Sequence, residues 1–116
     1  MSGIVMSLGA TVSALRKARG LTLSDIEQLT HINKGALSRF ERDLEGLGSD
    51  NFEKICILFG TTPAVIHAVS RFVSQQPKIV EDGTKLYKLV RSLTRLIDHY
   101  LSATEEVRLT VDRLLE

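Results

Sequence analysis

The stretch "HINKGALSRFER", residues 31 to 42, places Lys34, Arg39 and Arg42 within little more than two helical turns, with Gly35 and Ala36 beside Lys34. Ammonium and guanidinium groups are charged hydrogen-bond donors without acceptor capacity, so this set suits an anionic partner rich in acceptors. Small residues at the front of the span let a helix backbone come close to flat base edges. Leu37 and Phe40 fall on the opposite side, where they anchor the helix at a fixed angle. The mixture fits the major groove of double-stranded DNA, where basic side chains meet guanine edges or phosphates.

Catalysis has no comparable constellation. His31, His67 and His99 fall in different elements with no cysteine or carboxylate at metal-ligand spacing, which argues against a metal site. "EGLGSDN" superficially resembles a phosphate loop, but Asn51 replaces the last glycine, no strand precedes it, and its acids repel phosphate. No serine or cysteine lies in a nucleophile signature. The chain reads as a non-enzyme without cofactor.

The elements that must carry residues 31 to 42 are helical, because apolar residues recur at helical spacing nearly throughout. A first helix is expected from about Leu8 to Arg19, with Leu8, Val12 and Leu15 on one face and Gly20 ending it. Thr22 caps a second from Leu23 to about Thr30, with Ile26 and Leu29 inward, and Asn33 caps a third from Lys34 to about Arg42. "DLEGLGSD" is a loop, after which Ser49 or Asp50 caps a fourth helix ending at Gly60. Phe52, Ile55, Cys56 and Phe59 share a stripe there, which makes Cys56 a core residue. Pro63 starts a fifth helix carrying Val65, Ile66, Val69 and Val73, to about Ser74.

The expected division is a helical unit over residues 1–74, a linker over 75–83 and a helical hairpin over 84–116. The hairpin has a long helix from Thr84 to about Leu101 and a second one opened by a capping box, Ser102 to Glu105. Leu86, Leu89, Leu93, Leu96 and Tyr100 form a stripe that Val90 and Ile97 broaden; Val107, Val111, Leu114 and Leu115 give the last helix its own face. A unit this short lacks a self-sufficient core and must pack on something. The first unit, a second copy of the chain, or another protein could cover it. The reading favours a second copy, forming a four-helix bundle, because the linker separates the hairpin from a unit that already looks complete.

With 116 residues and 43% hydrophobic composition, the chain can bury one modest core without metal or disulfide. Net charge is only +1. The first 42 residues are locally basic, however, with Arg16, Lys17, Arg19, Lys34, Arg39 and Arg42 against Asp25, Glu27 and Glu41. A lone cysteine excludes an intramolecular disulfide and suits a reducing, cytoplasmic setting. The basic residues follow the mildly apolar N-terminus, the reverse of a signal peptide, and "ICILFG" and "PAVIHAV" are too short to span a membrane.

"LRKARGLTLSDIEQLTHINKGALSRFER", Leu15 to Arg42, resembles the Cro and lambda-repressor-like helix-turn-helix family, often called the XRE family. The resemblance extends through "NFEKICILFGTTPAVI" to about Ile66. It implies an all-α, five-helix domain, here followed by the hairpin, and a dimeric DNA-binding transcriptional regulator. Lys34, Gly35 and Arg39 match base-facing positions, with Ser38 nearby. Asn33, Arg42 and the amides around Thr22 and Leu23 match phosphate-contacting positions; Lys17 is a further phosphate candidate. Arg16 and Glu41 match a structural ion pair between the first and third helices.

The chain departs from the family pattern where His31 replaces a common glycine in the turn, Glu27 a common small alanine, and Leu23 a common polar residue. His31 is expected in a left-handed conformation at some cost. The hairpin lies outside the common domain, although some family repressors carry a helical dimerisation unit similar in kind. Two functions therefore compete: a homodimeric repressor of bacterial or phage type on a near-palindromic operator, and an antitoxin or interaction protein whose C-terminal helices hold a regulatory protein partner.

Overall fold

A computed structural model describes residues 6–73, 83–102 and 105–115. Among these residues the chain is all helical: α1 (Leu8–Ala18), α2 (Leu23–Thr30), α3 (Lys34–Glu41), α4 (Ser49–Leu58), α5 (Pro63–Val73), α6 (Gly83–Ser102) and α7 (Glu105–Leu115). The expected linker, apart from Gly83, and the junction of the expected capping box at 103–104 lie outside the described residues.

Caps fix the helix ends. The Ser7 hydroxyl accepts from the Ala10 amide at 3.0 Å, and Thr22 and Asp25 form a reciprocal capping box at 3.0 and 2.8 Å. Thr62 accepts from the Val65 amide at 3.3 Å ahead of Pro63. α4 differs from expectation: Gly48 stands at its N-cap and supplies no side-chain bond. At the other ends α1, α3 and α4 finish alike, with a left-handed residue just past the cap, at Gly20, Asp43 and Gly60. The amides of Leu21, Leu44 and Thr61 then reach back to the carbonyls of Arg16, Arg39 and Cys56 at 3.1, 2.8 and 2.9 Å. This double-bonded ending satisfies carbonyls that a helix terminus leaves free.

The core runs through the middle of α1, whose Val12 and Leu15 are buried among Ile26, Leu37, Ile55, Phe59, Ile66 and Val69. Gly9 allows α1 to cross close over α3, since a Cβ there would collide with the Phe40 carbonyl oxygen. Leu29, expected inward, is 58% exposed. The inner positions of the short α2 are Ile26 and Thr30, four residues apart, which turns Leu29 away.

α6 departs most from expectation. Leu86 and Val90 are 0% exposed and belong to the same core as α1 and α5, with Tyr87, Leu89 and Leu93 packed around them. Leu86 and Val90 therefore cannot line a surface between two copies. The five-helix unit left an apolar face on α1 and α5, and the nearest helical stripe in the chain covers it. Polar contacts lock the arrangement: Thr61 and Thr94 hydroxyls meet at 2.8 Å, Arg91 donates to the Gly60 carbonyl, and Arg19 reaches the Tyr87 hydroxyl at 2.7 Å. Beyond Thr94 the helix leaves the body, and Leu96, Ile97 and Leu101 are exposed. α7 folds back beside it, where Tyr100 donates to Asp112 and Arg108 donates to the carbonyls of Tyr100 and Leu101.

Candidate nucleic-acid interface

The turn between α2 and α3 is built without glycine. His31 takes φ 63° at the end of α2, its amide donating to the Glu27 carbonyl at 2.8 Å, and Ile32 plugs into the core just after it. Leu37 and Phe40 bury the rear of α3, and the Phe40 ring meets Phe52 edge-on at 6.1 Å between centroids. From the α1 side, the Arg16 guanidinium grips Glu41 through Nε and Nη2, both at 2.8 Å, and donates through Nη1 to the Leu21 carbonyl at 2.9 Å. These bonds hold the guanidinium firmly in its charged form. α3 is thus fixed from behind and from one side, leaving its outer face to solvent.

That outer face carries Lys34, Arg39 and Arg42, all exposed, with Gly35 and Ser38 half-buried between them. A groove of about 520 Å³ separates α3 from the start of α2, and its walls bring Thr22, Leu23 and Ser24 together with Lys34, Gly35 and Ser38. Lys17 is exposed on α1 and is not among the residues lining this groove. Arg42 folds back so that its Nε donates to the Ser38 carbonyl at 3.3 Å. Arg39 has its Nε 3.0 Å from an oxygen of Glu45, which lies in the loop after α3.

Two expected phosphate groups are already engaged. The Asn33 side-chain oxygen accepts from the amides of Gly35 and Ala36 at 2.8 and 3.2 Å, so its NH2 is the donor left for a partner. The Thr22 amide donates to Asp25, a bond that, with the Thr22 hydroxyl, holds the Asp25 carboxyl below the usual carboxylate range. Sequence reasoning missed Glu27, whose carboxylate accepts from the Lys34 amide at 2.9 Å and so closes the first turn of α3. It also missed Glu45. Neither bond has a local sequence signal, because one crosses a turn and the other depends on the path of a loop.

The residues expected at a surface between copies divide into groups. Leu86 and Val90 are interior; Leu89, Leu93 and Tyr100 are half-buried; Leu96, Ile97 and Leu114 are exposed. Val107 and Val111 lie on α7, but their side chains fall outside the description. Among the described residues there is no cluster of histidine, cysteine or carboxylate side chains able to hold a metal, and Cys56 is buried. No single described helix is long and apolar enough to cross a membrane.

Residues 12–66, which run from α1 into α5, match the family model described as Helix-turn-helix. No match was found among curated proteins or among solved structures.

Proposed function

From a chain that carries a Cro and lambda-repressor-like helix-turn-helix domain, we propose a homodimeric repressor that binds a near-palindromic operator in the cytoplasm. The domain makes the protein a DNA-binding regulator. The single observation that carries the finer reading is the outward face of α3, with Lys34, Gly35, Ser38 and Arg39 free of the core while Leu37 and Phe40 are sunk into it. In the major groove, Lys34 and Arg39 donate to base acceptors and Gly35 lets the backbone approach. Arg42, Lys17 and the Asn33 NH2 reach phosphates to either side.

The case for a pair of copies rests on the far end of the hairpin. Leu96, Leu101, Leu109, Leu114 and Leu115 are each more than half exposed on two adjoining helices. So many large aliphatic side chains left in solvent on two short stretches of helix support an interaction surface there. A twofold pairing there supplies two α3 helices to half-sites about 34 to 36 Å apart, or a multiple of that. Occupying a promoter then excludes polymerase.

Selection of bound duplexes from a random pool, combined with sedimentation of the free protein, tests this. An enriched inverted repeat and a dimeric protein are expected. A dimer with no enriched sequence overturns the operator. A monomer that enriches only one half-site overturns the pairing and assigns the exposed leucines to another protein.

A further inference from the structure

We infer that Glu45 is a positioning residue for Arg39, holding its guanidinium over the first turn of α3 with its terminal edge presented outward; the inference rests on the DNA-reading role proposed for α3. Arginine side chains have many rotamers, and ordering one on binding costs affinity and blurs base selection. Two features restrict this one. Its Nε stands 3.0 Å from a Glu45 carboxylate oxygen, and its Nη1 lies back over Gly35, where an added Cβ would come within 3.3 Å of it. With Nε facing Glu45, Nη1 and Nη2 remain as the parallel fork that matches the two acceptors on a guanine edge.

Glu45 is held in place by the end of α3. The Asp43 amide bonds the Phe40 carbonyl at 3.0 Å and the Leu44 amide bonds the Arg39 carbonyl at 2.8 Å, turning the chain back through left-handed Asp43. The Asp43 carboxylate accepts from the Ser7 hydroxyl at 2.9 Å, which ties the turn to the start of α1. The loop therefore delivers a carboxylate beside Arg39, the sixth residue before it, in the last turn of α3. Its cost is a negative charge near DNA phosphates, so a merely solvated glutamate here would only weaken binding. Side-chain exposures of 47% for Arg39 and 43% for Glu45 leave both within reach of a docked duplex.

Positioning and repulsion have different signatures. Full-length wild type, Glu45→Gln, Glu45→Asp and Arg39→Ala are titrated by fluorescence anisotropy against the selected site, its single-base-pair variants and an unrelated duplex. Arg39→Ala identifies the base pair that Arg39 reads. Glu45→Gln is expected to reduce discrimination at that pair by about threefold or more, at no other pair, while tightening the unrelated duplex through loss of one repelling charge. Glu45→Asp keeps the charge but shortens the reach, so it loses discrimination without that tightening. Uniform tightening with discrimination unchanged overturns the inference, as does an even loss at every base pair. If wild type discriminates among no sequences, the DNA-reading role itself falls and this inference falls with it.

Discussion

The hydroxyls of Thr61 and Thr94 lie 2.8 Å apart in the interior, and the Thr94 proton goes to the Val90 carbonyl at 2.7 Å. A hydroxyl has one proton, so Thr61 must be the donor to Thr94. This bond joins the turn ahead of α5 to the middle of α6. It makes the two positions unequal: Thr94→Val strands a buried donor, whereas Thr61→Val removes only a second bond to an oxygen still in use.

Thr94→Val is therefore expected to lower stability by about 1 to 3 kcal/mol, and Thr61→Val by less. Urea unfolding of both single variants and the double variant reads this. A double variant more stable than Thr94→Val alone is expected, since no donor is then left stranded.

Leu86→Ala opens a cavity in the core shared by α1, α5 and α6, and a loss of about 2 to 5 kcal/mol is expected. Unfolding followed by a probe on α3 and a probe on α6 should give one coincident transition. Two separate transitions would show that the first half of α6 does not belong to the DNA-binding body.

Arg39→Ala should weaken the selected site by about 1 to 3 kcal/mol and relax preference at one base pair. Arg42→Ala should weaken all duplexes alike and flatten the dependence of affinity on salt. Binding titrations over a series of salt concentrations separate the two, and identical behaviour would remove base reading from Arg39.

Burial, with a smaller contribution from Glu53, pushes the Cys56 thiol up to about 11. The native protein is expected to resist iodoacetamide at neutral pH and to react once unfolded in urea, as mass spectrometry would report. The folded state holds the thiol's proton more tightly than the unfolded state. Its stabilising effect is thus complete below the ordinary thiol value and fades as pH rises through about 11, a loss readable in alkaline melting curves.

Local chemistry made the helix-turn-helix half of the molecule readable. Thr22 and Asn33 announce helix starts, Gly20 a helix end, and the charges of α3 stand out against Leu37 and Phe40 because one short helix must serve both sides. The destination of α6 was not readable in the same way. A stripe such as Leu86, Val90 and Thr94 shows that a face is covered, but the covering surface is built from α1 and α5, far away in sequence. Leu29 and Glu27 failed for a related reason: in a helix of eight residues, small rotations decide which side chain turns inward and which reaches the next element. The glycines of "EGLGSD" drew attention to that loop, yet the left-handed residue at the end of α3 is Asp43, kept there by a bond from Ser7 that no sequence window contains.

Gly83 lets α6 begin almost flush against Ala14 and Ala18 of α1, with an added Cβ only 3.3 Å from the Ala18 methyl. The 20-residue α6, about 30 Å long, is therefore clamped as far as Thr94 to the body whose α1 grips α3 through Arg16, and its remainder projects as a stiff lever. Inserting one residue into its outer half would swing the tip by about 100°. In a paired assembly that rotation would throw the two reading heads out of phase with the duplex while leaving each head intact.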